Sequence, residues 1–302
     1  MTADINLISL IDRFPDDAKC REHLEKLRWP DGVACPRCGD MSVSEIFERN
    51  QWDCNSCRYQ FSVTAGTIMH RSHLPLRKWF IAIYLMCEAK KGVSAKQLQR
   101  TLGLGSYKTA WHLCHRIREA MGNDPFTGPT LFGIVEVDET FVGGHQKGKG
   151  QGPYSTSNKT IVIGAVQRDG KVRLERIPNT RRKTLDDFVR RTVKDTALAI
   201  YTDEFPAYRG LGERMDIHHD TVQHNIDEWV VGDVHTNSVE GVWSLFKRSI
   251  MGSFHQISRK HMDRYLEELE WRFNNRDNPF MFRDLLLRIL ESRALRYDEL
   301  TA

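Results

Sequence analysis

The chain has 302 residues, of which 40% are hydrophobic and 28% charged; the length favours about two domains, and the composition is typical of a globular protein with a sizeable core. The longest apolar run, Trp79 to Cys87, has nine residues, which is too short for the roughly 18 to 20 residues of a membrane span. The net charge is only +4, and the early acidic residues and odd number of cysteines, seven, argue against a secretory signal and disulfides.

The first motif is a set of four cysteines in two pairs. Cys35 and Cys38 form one pair, Cys54 and Cys57 form the other, and fifteen residues separate the pairs. This spacing is typical of a zinc ribbon, in which four thiolates surround one Zn²⁺ and leave no open position. We therefore expect one structural zinc per chain. A rubredoxin-like iron site has the same spacing, and unrelated cysteines are the other alternative.

A basic segment follows the cysteines. Residues 71–119 contain ten Lys or Arg and two Glu, a local charge of +8, which indicates a polyanionic partner or a solvated helix face. Ser94 is a candidate N-cap, Gly103 a helix end and Ser106 a second cap. Two helices joined by such a turn outline a helix-turn-helix or an ordinary helical hairpin. In a helix-turn-helix, the residues near the start of the second helix would face DNA: Tyr107, Lys108 and His112.

The pattern changes after residues 125–129, which contain two prolines and mark a domain boundary. The sequence then predicts strands at 134–142, 160–167 and 172–177, a helix over about 183–194, a strand ending near Asp203 and a helix over 237–250. This order predicts an α/β layer with a mixed sheet.

Three acidic residues have positions typical of a metal site. Asp138 lies on the first of these strands, Asp203 follows a later strand and Glu240 begins the late helix. Clustered carboxylates are ligands that Mg²⁺ or Mn²⁺ prefers, and two such ions support in-line displacement at phosphorus. Lys247 shares a helix face with Glu240 and could bind a DNA phosphate.

Each acid also has an alternative role. Glu136 alternates with Asp138 on one strand face, so either could be the ligand. Asp203 could be a turn or cap residue. Glu240 could be the third residue of a cap formed by Thr236 or Asn237.

Taken together, these motifs resemble bacterial insertion-sequence transposases that join an N-terminal transposase zinc ribbon to an RNase H-like DDE domain. The resemblance covers nearly the whole chain, and its motifs lie in residues 35–38, 52–68, 76–80, 107–111, 135–144, 201–203 and 235–248. It implies a multidomain α+β protein with an N-terminal region holding the ribbon (1–70), a basic helix-turn-helix-like segment (71–124) and an RNase H-like catalytic domain with a mixed sheet and C-terminal helices (130–302). Core packing is expected for Tyr265, Leu269 and Trp271.

The resemblance also implies site residues. Asp138 and Asp203 are the first two catalytic carboxylates, and Glu240 is preferred as the third because a carboxylate binds metal better than an amide. Asn237 is the other candidate, since related enzymes can carry Asn there, and His235 could approach the same site. The residues expected to contact DNA in this part of the chain are Lys147, Lys149, Lys247 and Arg248.

The implied activity is DNA transposition. The ribbon and basic helices would bind the element's terminal inverted repeats, and two Mg²⁺ or Mn²⁺ ions would support cleavage and joining to target DNA. Pairing of two ends implies a homo-oligomer, acting in the bacterial cytoplasm at the nucleoid, with neither a membrane nor a small-molecule substrate as partner. The alternatives are a DNA-binding regulator with an inactive RNase H-like domain and a structure-selective nuclease.

Overall fold

The computed structural model describes residues 5–122, 130–143, 159–222 and 235–302. The chain divides into two compact units, one formed by Met1–Asn123 with Asp277–Ala302 and the other by Asp124–Arg276. We call them the ribbon unit and the sheet unit. Within the described ranges, no helix has the length and apolar character needed to cross a membrane.

The ribbon unit begins with two helices and a small sheet. Helix α1 spans Leu7–Arg13 and α2 spans Asp17–Arg28; the antiparallel strands that follow are β1 (Val43–Ile46), β2 (Gln51–Cys54) and β3 (Gln60–Phe61). The buried core of this small sheet consists of Cys35, Cys54, Phe61 and Ala65. The other apolar side chains that pack on this core are only partly buried, as expected for a small fold that depends on a metal.

Three helices continue the ribbon unit: α3 (Leu76–Glu88), α4 (Ala95–Thr101) and α5 (Tyr107–Gly122). The Ser94 side chain accepts a hydrogen bond from the Gln97 amide, which confirms the predicted N-cap of α4. Gly103 has φ +58°, a left-handed conformation that glycine adopts easily, and the chain turns there into α5. The two predicted helices and their turn are therefore confirmed.

The last part of the chain also belongs to the ribbon unit, and this differs from the expected assignment of all of 130–302 to one catalytic domain. Helix α10 spans Met281–Glu291 and α11 spans Tyr297–Thr301. The Phe282 ring lies 5.7 Å from the Phe80 ring of α3, and Arg288 donates to the Met121 carbonyl. The apolar face of α10 is thus buried against α3 and α5, which explains the difference.

The sheet unit contains a five-stranded mixed sheet in its described residues. Its strands are β4 (Ile134–Val142), β5 (Thr160–Gln167), β6 (Val172–Ile177), β7 (Ala199–Asp203) and β8 (His218–Val222), in the order β6-β5-β4-β7-β8. Strands β4 to β6 are antiparallel neighbours, whereas β7 runs parallel to β4 and β8 parallel to β7. This arrangement confirms the expected RNase H-like mixed sheet. Strand β8 was not predicted, because its sequence lacks apolar alternation.

Helices cover both faces of this sheet. Helix α6 (Arg182–Thr192) packs Leu185 and Phe188 against one face, near the short helix α7 (Leu211–Met215). Helices α8 (Asn237–Ser249) and α9 (Met262–Asn274) pack on the other face, with Trp243, Phe246, Leu266 and Leu269 in the core. Leu269 and Trp271 are buried as expected, and Tyr265 is half-buried against Phe254. Strand β4 therefore has α6 on one face and α8 on the other.

Candidate zinc centre and candidate active site

The four predicted cysteine ligands converge in the ribbon unit. Their sulfur atoms all lie within 4.8 Å of one another. Cys35 Sγ lies 3.6 Å from Cys57 Sγ, and Cys38 Sγ lies 3.5 Å from Cys54 Sγ. A tetrahedron with Zn–S bonds of about 2.3 Å requires sulfur separations of roughly 3.8 Å. The thiol donor set and its dimensions therefore fit a four-coordinate structural zinc.

The first two predicted carboxylates lie on neighbouring parallel strands. The register pairs Glu136 of β4 with Tyr201 of β7. Continuing it by two residues brings Asp138 opposite Asp203, with both side chains on the sheet face that α8 covers. The sequence alone could not establish this adjacency, because about 65 residues separate the two acids.

Asp138 is half-buried and lies near other negative charges. Burial, together with the negative charges of Asp203 and Glu240, raises the pKa of Asp138 to about 6. The Trp243 indole Nε1–H donates a 2.8 Å hydrogen bond to Asp138 Oδ2, which opposes that increase. The negative charges of these carboxylates repel one another. They form a donor set suited to a divalent cation, because the cation would compensate their charge.

Asp203 is oriented by the backbone that follows β7. Its Oδ1 accepts a 3.0 Å hydrogen bond from the amide of Phe205. This short-range bond is typical of an aspartate at a turn. The turn role that the sequence left open therefore coexists with a position beside Asp138.

Glu240 and Asn237 lie one turn apart at the start of α8 and differ in their surroundings. Glu240 is half-buried, accepts a 3.4 Å hydrogen bond from the Thr236 hydroxyl and raises the pKa of Asp138. Asn237 is exposed and lines a surface pocket with Gln167, Gly170 and others beyond the end of β5. Glu240, rather than Asn237, therefore acts electrostatically on Asp138.

The donor atoms of the three acids lie farther apart than those of the cysteines. Among the described residues, the four cysteines are the one group of three or more potential metal ligands whose donor atoms all lie within 4.8 Å. The carboxylates are close enough for Asp203 and Glu240 to shift the pKa of Asp138.

Glu136, the alternative ligand on the same strand, is engaged elsewhere. It is fully buried and accepts hydrogen bonds from the Ser238 and Val239 amides at the start of α8. Helix α8 has Thr236 as its N-cap, without a side-chain cap of its own. The side-chain cap by Thr236 or Asn237, of which Glu240 would have been the third residue, is not formed, and Glu136 supplies the acceptors instead.

A half-buried acid next to Asp138, Glu139, was not singled out from the sequence. The Tyr208 hydroxyl, itself fully buried, donates a 2.6 Å hydrogen bond to Glu139 Oε2. Burial, together with the negative charges of Asp203 and Asp138, raises the pKa of Glu139 to about 7, and the Tyr208 hydrogen bond opposes that increase. The adjacent acids at positions 138 and 139 were the available signal, but the tyrosine partner lies 69 residues away.

The residues predicted to face DNA have different environments. Tyr107 and Lys108 are exposed at the start of α5, but the Lys108 ammonium lies 4.0 Å from the centroid of the Tyr297 ring. His112 Nε2 lies 3.2 Å from the Leu295 carbonyl oxygen. The C-terminal segment of the ribbon unit therefore covers part of α5.

Lys247 and Arg248 are exposed in the last turn of α8. The predicted DNA contacts Lys147 and Lys149 lie outside the described residues. His235 Nδ1 lies 3.2 Å from Glu136 Oε1, so His235 belongs to the surroundings of Glu136.

Each of the two units contains a segment that matches a known protein family. Residues 15–60 match the transposase zinc-ribbon domain, and residues 130–274 match the ISXO2-like transposase domain. A protein of *Haemophilus influenzae* described as an uncharacterized transposase-like protein is 31% identical over 33% of this chain and 77% of its own length. The chain belongs to this family of insertion-sequence transposases, and its four-cysteine site is that of a zinc ribbon.

A longer relative covers most of the chain. It is the uncharacterized protein in transposable element ISH50 of *Halobacterium salinarum*, 29% identical over 87% of this chain and 92% of its own. Among solved structures, the Mos1 strand transfer complex is similar over 70% of this chain and 76% of that chain (15% identity, TM-score 0.29). The pre-cleavage Mos1 transpososome is similar over 68% and 76% (12% identity, TM-score 0.25).

Proposed function

We propose that this protein is a DDE-type DNA transposase that cuts the ends of its own element and joins them to target DNA. The observation that carries the proposal is the position of Asp138 beside Asp203 on parallel strands, under a helix that brings Glu240 to the same face. Membership of a transposase family supplies the chemical context.

The residues have separate roles in this proposal. Asp138, Asp203 and Glu240 would hold two Mg²⁺ or Mn²⁺ ions, because they are carboxylates whose charges repel one another. When bound, such ions supply activation of the attacking water or 3′-hydroxyl and stabilisation of the leaving oxygen. Trp243 favours the ionised form of Asp138 and orients its carboxylate through the indole hydrogen bond. The neutral amide of Asn237 faces the pocket beyond β5 and is left out of this set.

Binding to DNA would use the basic surfaces of both units. The exposed cations Lys108, Lys247 and Arg248 would neutralise phosphates, together with Lys147 and Lys149. Tyr107 at the start of α5 would contact the terminal inverted repeats, as the second helix of a helix-turn-helix does. Since His112 already contacts the Leu295 carbonyl, its role would be to hold α5 in place. Two element ends must be brought together, so we propose a homo-oligomer on DNA.

The test is a cleavage and strand-transfer assay on DNA that flanks the gene, with and without Mg²⁺. We expect the wild type to nick at an inverted repeat and join it to target DNA. Asp203→Asn and Glu240→Gln should bind the same DNA but do neither. Asn237→Ala should retain both activities.

A suitable control is Asp263→Asn, which removes an exposed ion pair with Arg176 in the same unit and should leave activity intact. Binding without cutting by the wild type would favour a regulator with an inactive catalytic domain. Cutting without joining would favour a nuclease. Unchanged activity in Asp203→Asn would contradict the site assignment.

A further inference from the structure

Glu136 is a fully buried carboxylate on the strand that carries Asp138. Its Oε2 accepts hydrogen bonds from the Ser238 amide (2.7 Å) and the Val239 amide (3.1 Å). Its Oε1 accepts from Arg168 Nε and from the Ser238 hydroxyl, both at 2.9 Å. A buried charge is stable only when it is paired and hydrogen-bonded, and Glu136 meets that condition with donors from two other parts of the fold.

The amide contacts make Glu136 a cap for α8 from outside the helix. The first N–H groups of a helix have no partner within it and attract negative charge. Thr236 provides no side-chain cap for α8. Glu136 provides the acceptor from a strand more than 100 residues earlier in the chain, so the start of α8 is fixed to β4.

Arg168 ties further parts of the sheet unit to this cap. Its Nη2 donates to the His235 carbonyl at 3.1 Å, and its guanidinium carbon lies 4.9 Å from the centroid of the Tyr201 ring of β7. Strand β4, strand β7 and the segment that leads into α8 therefore meet around Glu136 and Arg168. These are the segments that carry Glu240, Asp203 and Asp138.

We propose that Glu136 is a positioning residue that sets the place of Glu240 relative to Asp138, by fixing the first turn of α8 to β4. The proposal rests on the proposed function for its consequence in catalysis. Glu136 lies two residues before Asp138, and Glu240 follows Val239 directly. A change at Glu136 therefore moves the start of the helix against the strand. With four donors on its two oxygens, Glu136 supports the carboxylate site without serving as a ligand.

The main variant is Glu136→Gln, which keeps the side-chain shape but replaces one acceptor oxygen with a donor. That amide group must then face either Arg168 or the helix amides, all of which are donors. We expect cleavage to fall by about 10- to 100-fold, the range found when groups that orient metal ligands are altered. The Kd for DNA should stay within about 2-fold.

Two readouts do not depend on catalysis. Hydrogen–deuterium exchange of the segment 235–241 should speed up in Glu136→Gln. If the new amide group faces the helix, the Ser238 and Val239 amides lose their acceptor; if it faces Arg168, it displaces the guanidinium that holds the His235 carbonyl. Titration with Mn²⁺ alone, followed by electron paramagnetic resonance, should show weaker binding by about 10-fold or more. A role in stability alone would change neither selectively.

Glu270→Gln is the matched control. Glu270 of α9 accepts from Arg173 Nη1 at 2.6 Å and from the Leu174 amide at 2.9 Å, so it also joins a helix to a strand through a largely buried ion pair. We expect this variant to lower the melting temperature while leaving exchange at 235–241 and Mn²⁺ affinity at wild-type values. If Glu136→Gln fails to fold, Ser238→Ala removes only the hydroxyl donor and should produce the same changes at smaller size.

The outcomes separate this proposal from the proposed function. Equal effects of Glu136→Gln and Glu270→Gln on exchange and Mn²⁺ affinity would overturn the positioning role. Wild-type exchange and Mn²⁺ affinity in Glu136→Gln would overturn it as well. If the wild type neither cuts nor joins DNA, the proposed function fails, and the exchange and Mn²⁺ measurements still decide whether Glu136 fixes α8.

Discussion

At the scale of single residues, opposing contacts set the pKa of Asp138, and two hydrogen bonds lower it, one from the Trp243 indole and one from the Glu139 backbone. Burial and two neighbouring acids favour the protonated form, and the Trp243 N–H favours the ionised form. Trp243 is almost completely buried, so water does not readily replace it. The tryptophan therefore orients the carboxylate and lowers its pKa.

Trp243→Phe should reduce cleavage by about 10-fold, because the ring remains while the donor to Asp138 is lost. Losing a hydrogen bond to the charged form raises the pKa of Asp138 further. The acidic limb of the pH–rate profile should therefore move to higher pH. The profile should be measured at fixed Mg²⁺ concentration. Trp271→Phe, a change at a buried tryptophan of α9, should leave the limb in place; a shift of equal size there would contradict the assignment.

Glu139 predicts a pH-dependent stability. Its folded-state pKa of about 7 lies above the ordinary value of 4.5, so the native state binds more protons than the unfolded state between these values. Its contribution is fully present below about pH 4.5 and is lost as pH rises through about 7. Glu139→Gln should remove this pH dependence. The melting temperature of the variant minus that of the wild type should therefore rise from pH 5.5 to 7.5. A constant difference over this range would contradict the prediction.

The sequence predicted Asp138, Asp203 and Glu240 as site residues, because carboxylates next to strand ends and helix starts are visible in a pattern, and their role as metal ligands stays a prediction. It did not identify the partners of those acids. From the sequence, Trp243 was only part of a motif, and Glu136 was an alternative to Asp138 as the ligand. The roles of both residues in the structure depend on contacts across more than 100 residues, which no local spacing encodes.

At the scale of elements, the packing of α8 on the sheet depends on one glycine. A Cβ built on Gly164 of β5 would lie 2.7 Å from Trp243 Cη2 and 3.0 Å from Leu174 Cδ2. Gly164 is paired with Asp138 across the two strands. The missing side chain therefore makes room for the indole that contacts the acid.

Gly164→Ala should destabilise the sheet unit by about 1–3 kcal/mol, the usual cost of overpacking a core, and should reduce cleavage by displacing Trp243. Gly241→Ala is the matched control, because a Cβ on this α8 residue meets no atom within 4 Å. Alanine should there stabilise the helix by about 0.5–1 kcal/mol. Urea unfolding would measure both changes, and destabilisation by both substitutions would contradict this account of the packing.

Element types and most boundaries could be predicted because caps and periodicity are local. The ends of α4 follow from Ser94 and Gly103, and the strands at 134–142, 160–167 and 172–177 follow from apolar alternation. The environment of α5 could not be predicted this way. Its contacts with Leu295 and Tyr297 join segments about 185 residues apart, so the exposure of the expected DNA-facing residues depended on tertiary structure.

At the scale of the whole molecule, the zinc site and the large sheet belong to separate compact units. The ribbon has a small core around its cysteines, whereas the sheet unit has an apolar core on each face of its sheet. The dependence of folding on zinc should therefore be confined to the ribbon unit.

Removal of zinc with a chelator should lower the melting transition of the ribbon unit and leave that of the sheet unit unchanged, because metal binding supplies folding free energy to the ribbon. Differential scanning calorimetry would separate the transitions, and hydrogen–deuterium exchange should localise the loss of protection to residues 30–65. Cys38→Ser should have the same effect without a chelator. Equal shifts of both transitions would contradict the prediction.

The organisation of the chain was predictable in part at this scale. A change in pattern predicted a boundary near 125–129, and the two compact units divide between Asn123 and Asp124. The location of residues 277–302 was not visible, because an amphipathic helix does not specify which core it covers.

This organisation has a consequence for synthesis on the ribosome. The ribbon unit is discontinuous, because Phe80 packs against Phe282. Phe282 is translated about 200 residues later, which takes roughly 10–40 s at typical rates of elongation. The sheet unit is continuous and can fold as soon as it has emerged. In a nascent or prematurely terminated chain, the sheet unit with the proposed catalytic residues would therefore fold before α10 packs against α3 and α5. Completion of the polypeptide itself becomes a condition for a finished DNA-binding unit.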